Sequence, residues 1–273
     1  DKNGELYFAN PGYLLEYDGF SWKNYSVKDQ SDLRAVLYED DHHIYTAGIG
    51  GFGFWYKNKK ANLEYSSLYF KYPSKEAPLL PVFLNIVSSK ESIFFQSFQQ
   101  IYIYNPTTKE LNNIPAIKGF SKLFSSNNRV FVQDVSIGLF EIIDSKKRII
   151  KGSENISLDI MGIFEDQANG LLLATKNNGF WYLKNGLLQK KSWQINNEIQ
   201  QSIITDIKKY TKNRFIVGSL RNGFYVVSKD GHKLGHYNKN NGIANNAIRK
   251  LFIDNNDNIW LGTESGISYF EIN

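Results

Sequence analysis

The sequence predicts an all-β protein: a seven-bladed β-propeller of four-stranded antiparallel blades, its ring cut at the chain ends. Three observations predict it. A strand-and-turn pattern returns about every 42 residues, the composition favours strands, and no stretch free of turn residues shows helical periodicity. Aromatic residues make up 15 % of the 273, with 17 Tyr, 19 Phe and 5 Trp against a single Met. Such flat side chains suit a pleated, half-buried surface. A period near 42 built only of strands matches propeller blades rather than helical solenoids.

The pattern is clearest near the C-terminus. There Ile248 and Leu251 precede Asp254, a turn at Asp257-Asn258, and the run Ile259-Trp260-Leu261-Gly262-Thr263. The same frame returns in "ITDIKKYTKNRFIVGS", "IMGIFEDQANGLLLAT", "LRAVLYEDDHHIYTAG" and "VFLNIVSSKESIFFQS", and more loosely in "KLFSSNNRVFVQD". Leu6, Ile44, Ile93, Val130, Leu171, Phe215 and Ile259 therefore mark the second strand of seven blades.

Each blade reads as four strands, A to D. Strand A is an I-x-x-L segment, strand B the apolar run after the turn, and strand C a segment such as "GFWYL", "GFYVV" or "GISYF". Asp18-Gly19, Asn185-Gly186 and Asp230-Gly231 supply the positive φ angles of tight C–D hairpins. "NPTTKE" and "DSKKR" serve as longer turns in blades three and four. Strands B and C are almost continuously apolar, which implies burial on both faces. Small pairs close strand B at Ala47-Gly48, Ala174-Thr175, Gly218-Ser219 and Gly262-Thr263, where bulk would collide. Gln96-Ser97 and Gln133-Asp134 depart from that rule and predict local irregularity in blades three and four. One blade cannot cover its own apolar faces, so several must stack. The first lacks strand A and the last strand D, which predicts that flanking sequence supplies them.

Net charge is +5 from 32 basic and 27 acidic residues, scattered without runs. That pattern reads as a solvated surface and predicts no direct nucleic-acid binding. The absence of cysteine excludes disulfides, thiolate metal sites and a Cys nucleophile. No apolar run reaches the ~18–20 residues of a membrane helix. The chain opens with neither an initiator Met nor a signal segment, which reads as a removed leader or a fragment.

The segment "NGIANNAIRKLFIDNNDNIWLGTESGISYF" resembles the two-component regulator propeller repeat. Ile248, Leu251, Asp254, Ile259, Trp260, Leu261, Gly262, Thr263, Gly266 and Ile267 stand at its matching positions, with Asn245 or Asn246 before them. Ala244 stands near the usual Pro, and Asp257 replaces the usual Gly. The resemblance implies that residues 1–273 are a single propeller, the periplasmic sensor module of a bacterial histidine kinase or transcriptional regulator. It further implies a glycan fragment or similar polar ligand, no enzymatic activity, homodimerisation through flanking domains, and a membrane link only through flanking segments.

In a propeller the D–A and B–C loops share one face, and loops are where function concentrates. The B–C loops contribute Asn10, Gln99, Ser136, Asn177, Arg221 and Glu264, and the D–A loops Asp159, Gln201 and Asn246. From these, Gln99, Asp159, Asn177, Arg221, Asn246 and Glu264 are the candidate ligand residues. Amides, carboxylates and a guanidinium suit hydroxyl-rich or acidic sugars. The ordinary alternative is polar turns facing water. Phe52, Phe98 and Tyr13, near loops, are candidate stacking surfaces, whereas Trp55, Trp181, Tyr225 and Phe140 share one repeat position and read as inter-blade core.

Other motifs point away from chemistry. "GIGGFG" at 48–53 runs into another strand, whereas a dinucleotide fingerprint needs a helix there. His232 and His236 lie in a turn-and-strand region without a third ligand, and His42 and His43 read as a solvated turn. Asp166 and Asp254 recur at one repeat position and read as turn formers, and Glu39-Asp40-Asp41 lies on a turn. No cofactor and no metal is expected. The rival readings are an interaction or dimerisation scaffold, and a propeller lyase or glycosidase.

Overall fold

The computed structural model describes residues 4–27, 32–40, 43–70, 79–166 and 169–271. Its fold is a seven-bladed β-propeller of antiparallel sheets. Blade one holds β1 (Leu6–Asn10), β2 (Tyr13–Tyr17) and β3 (Trp22–Ser26). Blade two holds β4 (Leu33–Asp40), β5 (His43–Gly48), β6 (Gly51–Lys57) and β7 (Leu63–Phe70). Blade three holds β8 (Phe83–Ser89), β9 (Ser92–Ser97), β10 (Gln100–Tyr104) and β11 (Leu111–Pro115). Blade four holds β12 (Phe120–Ser126), β13 (Arg129–Asp134), β14 (Gly138–Ile143) and β15 (Lys146–Ile149). Blade five holds β16 (Ile160–Glu165), β17 (Leu171–Thr175), β18 (Phe180–Lys184) and β19 (Leu187–Lys190). The helix α1 (Asn196–Ser202) leads to blade six, with β20 (Ile204–Thr211), β21 (Arg214–Ser219), β22 (Phe224–Ser228) and β23 (Lys233–Tyr237). Blade seven holds β24 (Ile248–Ile253), β25 (Ile259–Thr263) and β26 (Gly266–Phe270).

All seven landmark residues fall in the second strand of the repeat, and each blade pairs its strands in sequence order. The chain divides into two compact units, Asp1–Ile149 with four blades and Ile150–Asn273 with three. Among the described residues no helix is long and apolar enough to cross a membrane.

Within each unit the blades meet through buried apolar faces, as the unbroken apolar strands require. In unit one, Leu14, Leu33, Ile44 and Trp55 join blades one and two. Phe52, Phe83 and Phe95 join two and three, and Phe94, Ile114, Leu123 and Val132 join three and four. In unit two, Ala174, Phe180, Ile207 and Val217 join five and six, and Ile216, Phe224, Ile248 and Leu261 join six and seven. Phe52 is thus a core residue and not a loop stacking surface, because β6 begins at Gly51 and draws it inside. Trp55, Tyr225 and Phe140 are buried as expected. Trp181 is only half-buried, its indole Nε1 donating to the Asn178 carbonyl at 3.2 Å.

Three local expectations change. The "DSKKR" connection is a two-residue hairpin, with Asp144 and Ser145 both at positive φ (49° and 57°). These residues thus adopt the backbone that Asn-Gly turns usually supply. Helix α1 is absent from the strand-only reading. Its signal is short: Ile195 and Ile199, four apart, are both fully buried. His43 is half-buried against Tyr45 and Phe54 rather than solvated, while His42 and Asp41 lie outside the described residues.

The small residues closing strand B have a visible cause in two blades. A Cβ on Gly48 would strike the Asp32 carbonyl, and one on Gly218 would press Ile248 at 2.9 Å. At Gly262 the nearest neighbour would be at 3.5 Å, so this constraint is absent in blade seven.

Asp254 is the turn former its repeat position suggested. It accepts from the backbone N–H of Asn256 and Asn258 and from Trp260 Nε1, all at 2.9 Å. Burial pushes its carboxyl pKa up, but these donors outweigh burial and hold it below the usual range. Asp166 accepts from Gly170 N–H at 2.8 Å and from the Tyr182 hydroxyl. Asp254→Ala is expected to destabilise unit two by about 1–2 kcal/mol, since it strands several donors at once. Urea denaturation of the variant against the parent measures this.

Candidate ligand-binding loop face

The D–A and B–C loops meet on one face within each unit. In unit two the Lys176 N–H donates to the Asp159 carbonyl at 2.8 Å, Arg221 N–H to Ser202 at 3.3 Å, and Gly223 N–H to Asn246 at 2.9 Å. In unit one Ala116 N–H donates to Gln99 at 2.9 Å and Val135 N–H to Gly119 at 2.8 Å. The loops are tied to each other by their own backbones. Ligand groups presented there are held in fixed register.

Five of the six candidate residues belong to unit two. Asp159 is exposed and pairs with Lys176 at 3.7 Å, and Glu264 pairs with Arg249. Asn246 accepts from the Lys239 N–H at 2.8 Å through Oδ1. Asn177 is exposed and makes no side-chain contact to a polar partner among the described residues. The Arg221 guanidinium is also exposed and meets no acceptor among them. The sixth candidate, Gln99, is exposed in unit one, and its carbonyl holds the next loop.

The ion pairs change the electrostatics read from the loops. Each of the two candidate carboxylates already has a cation, and both pairs are exposed, where such pairs contribute little. Arg221 is different. Among the described residues its charge is uncompensated, and its five N–H donors are available to a carboxylate or sulfate.

Sequence reasoning missed a second set of residues on this face. In blades two to seven the first strand carries a bulge where it pairs with the second. The bulged residues are Arg34, Leu84 and Ser121-Lys122 in unit one, and Met161, Thr205 and Arg249 in unit two. A bulge re-aims its side chain out of the ladder, and these stand beside the D–A loops. Nothing in the apolar pattern distinguishes a bulged residue from a paired one. At Gln133-Asp134 the break in pairing is longer, with Ser121 and Lys122 both lying between the paired Phe120 and Leu123, but the shift is one residue there as in blade three.

Asp134 itself is buried and forms the tightest polar site on this face. Its carboxylate accepts from the N–H groups of Ile117 (2.6 Å), Lys118 (2.9 Å) and Gly119 (3.1 Å), and from Lys147 Nζ at 3.0 Å. Lys147 also donates to the Pro115 carbonyl and lies over the rings of Phe120 and Phe140. Burial pushes the Asp134 pKa up, but the three amides and Lys147 outweigh burial and hold the carboxyl below its usual range. Every group here is engaged, so the site anchors a loop. It is no ligand site.

The histidines are likewise engaged in structure. His236 stacks on Tyr225 at 4.3 Å with Nε2 against the Asn222 carbonyl at 2.7 Å, and His232 N–H donates to Ser228 Oγ. Ser202 Oγ joins the same cluster, 2.8 Å from the Tyr225 hydroxyl. Beside α1 an open cleft of about 480 Å³ is lined by residues that include Lys190, Lys191, Trp193, Gln194, Asn197 and Gln200.

Residues 242–265 match the family described as two component regulator propeller, so blade seven carries a repeat of that family. No curated protein sequence matches the chain. Among solved structures it is similar to the extracellular domain of BT4673 from B. thetaiotaomicron, a candidate hybrid two component system. That likeness has 18 % identity and a TM-score of 0.73, over 100 % of this chain and 37 % of that one. The extracellular domain of BT3049 from the same organism gives 17 % identity and a TM-score of 0.70, over 98 % and 38 %. Streptogramin B lyase gives 11 % identity and a TM-score of 0.71, over 100 % and 91 %. At such identities the likeness is one of fold. The chain spans little more than a third of the two regulator domains.

Proposed function

We propose that this propeller is a non-catalytic sensor module of a bacterial signalling regulator, working outside the cytoplasmic membrane. The blade-seven repeat and the fold shared with extracellular regulator domains support that reading. Its ligand is a glycan fragment or similar polar molecule, taken up on the loop face of unit two. Asn177, Arg221 and Asn246 make the contacts there, with the Lys176–Asp159 and Arg249–Glu264 pairs at the margin.

The observation that carries the site is the uncompensated guanidinium of Arg221 on a face whose other candidate charges are paired. It favours an acidic saccharide over a neutral one, because a charge-assisted bidentate contact is the strongest that the face offers. The flanking parts of a regulator would carry the output, as kinase or DNA-binding domain, and any dimer contact.

Thermal-shift screening against neutral and uronic or sulfated oligosaccharides tests this. An acidic oligosaccharide should raise Tm, and Arg221→Ala should weaken its binding by roughly 10- to 100-fold, the worth of a hydrogen-bonded charge. A folded protein that answers to no saccharide counts against direct recognition. Turnover of a polysaccharide by the purified chain would overturn the non-catalytic reading in favour of a lyase or glycosidase.

A further inference from the structure

The loop face of unit one differs in kind from that of unit two. Where unit two presents Asn177, Arg221 and Glu264, unit one presents large apolar side chains. Leu79 is 86 % exposed, Ile117 62 %, and Leu84 and Phe98 each 56 %, with Val82 and Val135 also exposed. They come from four D–A or B–C loops and one bulge, and, Leu79 aside, the backbone ties their positions together. Phe83 pairs with Ser97, so Val82 and Leu84 flank the strand end that leads to Phe98. The Phe120 N–H donates to the Phe98 carbonyl at 2.7 Å, and the Phe98 ring lies against Gly119, where any side chain would strike it. Gly119 in turn accepts from the Val135 N–H, and Asp134 pins Ile117 beside them.

This arrangement costs free energy in water without serving a core. The six side chains leave on the order of 500 Å² of apolar surface exposed, toward the upper end of the largest patch on an ordinary monomer. Leu84 is exposed because the β8 bulge turns it outward, and Ile117 because Asp134 holds its backbone amide and so fixes the loop. Rigid loops that hold apolar groups in water are the mark of a preformed docking surface.

We infer that this face docks an apolar polypeptide segment of a partner protein. The area and the rim choose the occupant. A second copy of the chain would need roughly 800 Å² per partner for a stable dimer, more than the patch offers. A lipid surface would call for clustered cations around the patch. Among the described residues the rim instead holds Gln99, Ser121 and Ser136, all exposed, with Lys118 as the exposed cation beside Ile117. Amides and hydroxyls of this kind meet the backbone of a bound peptide while its apolar side chains cover Phe98, Ile117 and Leu84.

The test is selection of a phage-displayed random dodecapeptide library on the full chain. Selected peptides should be rich in Leu, Ile and Phe, and their affinity should fall at least 10-fold for Ile117→Asp and for Leu84→Asp. Both side chains project into water, so neither change should lower Tm by more than a degree or two, and a folded variant is assured by melting it alongside. Peptides that bind both variants as well as the parent, or a selection that enriches nothing, would overturn the inference. So would a dimer in sedimentation velocity that Ile117→Asp dissolves, or binding to phosphatidylcholine–phosphatidylglycerol vesicles that the same change abolishes. These readouts do not involve Arg221, so their failure leaves the saccharide site of unit two standing, and the reverse holds.

Discussion

Asp134→Asn is expected to destabilise unit one by about 3 kcal/mol, because it removes one partner of a buried, hydrogen-bonded ion pair. In a chain near this size that is roughly 6–12 °C in Tm. Asn has the shape but not the chemistry. Its NH₂ group would face backbone donors, either Ile117 at 2.6 Å or both Lys118 and Gly119, and leave Lys147 without its counter-ion. Desolvation opposes the charge, yet four donors prevail, so the folded pKa lies below the unfolded value near 3.9. With that sign, the stability from Asp134 is fully present above the unfolded pKa and is lost as pH falls through the folded one. The gap between parent and variant should therefore be constant near neutrality and should narrow below about pH 4. Urea melts of both proteins across that range measure it. A gap that widens with acid would mean that Asp134 is not held as the carboxylate.

Phe52→Ala is expected to cost about 3–5 kcal/mol, the range for deleting a large aromatic from a closed core. Phe52 is fully buried, stacked on Phe95 at 4.1 Å and meeting Phe83, Tyr69 and Tyr102 within 5.4 Å. Five aromatic rings interlock around the junction of blades two and three, and such pairs add to the area they bury. The surrounding rings are anchored on separate strands and cannot collapse into the space. Phe52→Leu, which keeps much of the volume, should lose less than half as much. A loss under 1 kcal/mol for the alanine variant would show that blades two and three do not close on this residue.

Much of the fold was legible because blade packing repeats one physical requirement. Strands B and C must be apolar on both faces, so Ile44, Ile93, Leu171 and Ile259 announce themselves at regular intervals. Turn chemistry added the C–D hairpins at Asn185-Gly186 and Asp230-Gly231. The candidate site was less legible. Loop membership follows from the repeat, which is how Arg221 and Asn177 were found. Pairing does not: nothing in the chain order joins Arg249 to Glu264 or Lys176 to Asp159. The bulged side chains of β8 and β24 also escaped, since a register shift leaves no mark in composition.

By itself, then, the amino-acid order determined the architecture: blades, their number and the face on which the loops gather. That follows because periodic burial is written into every strand. Only the tertiary structure decided which loop charges are free and which face is greasy. Those properties depend on neighbours that the chain brings together from far apart, such as Gly119 beneath Phe98 and Asp134 beside Lys147. A side chain's exposure is set by what packs over it, and a repeat pattern does not specify that.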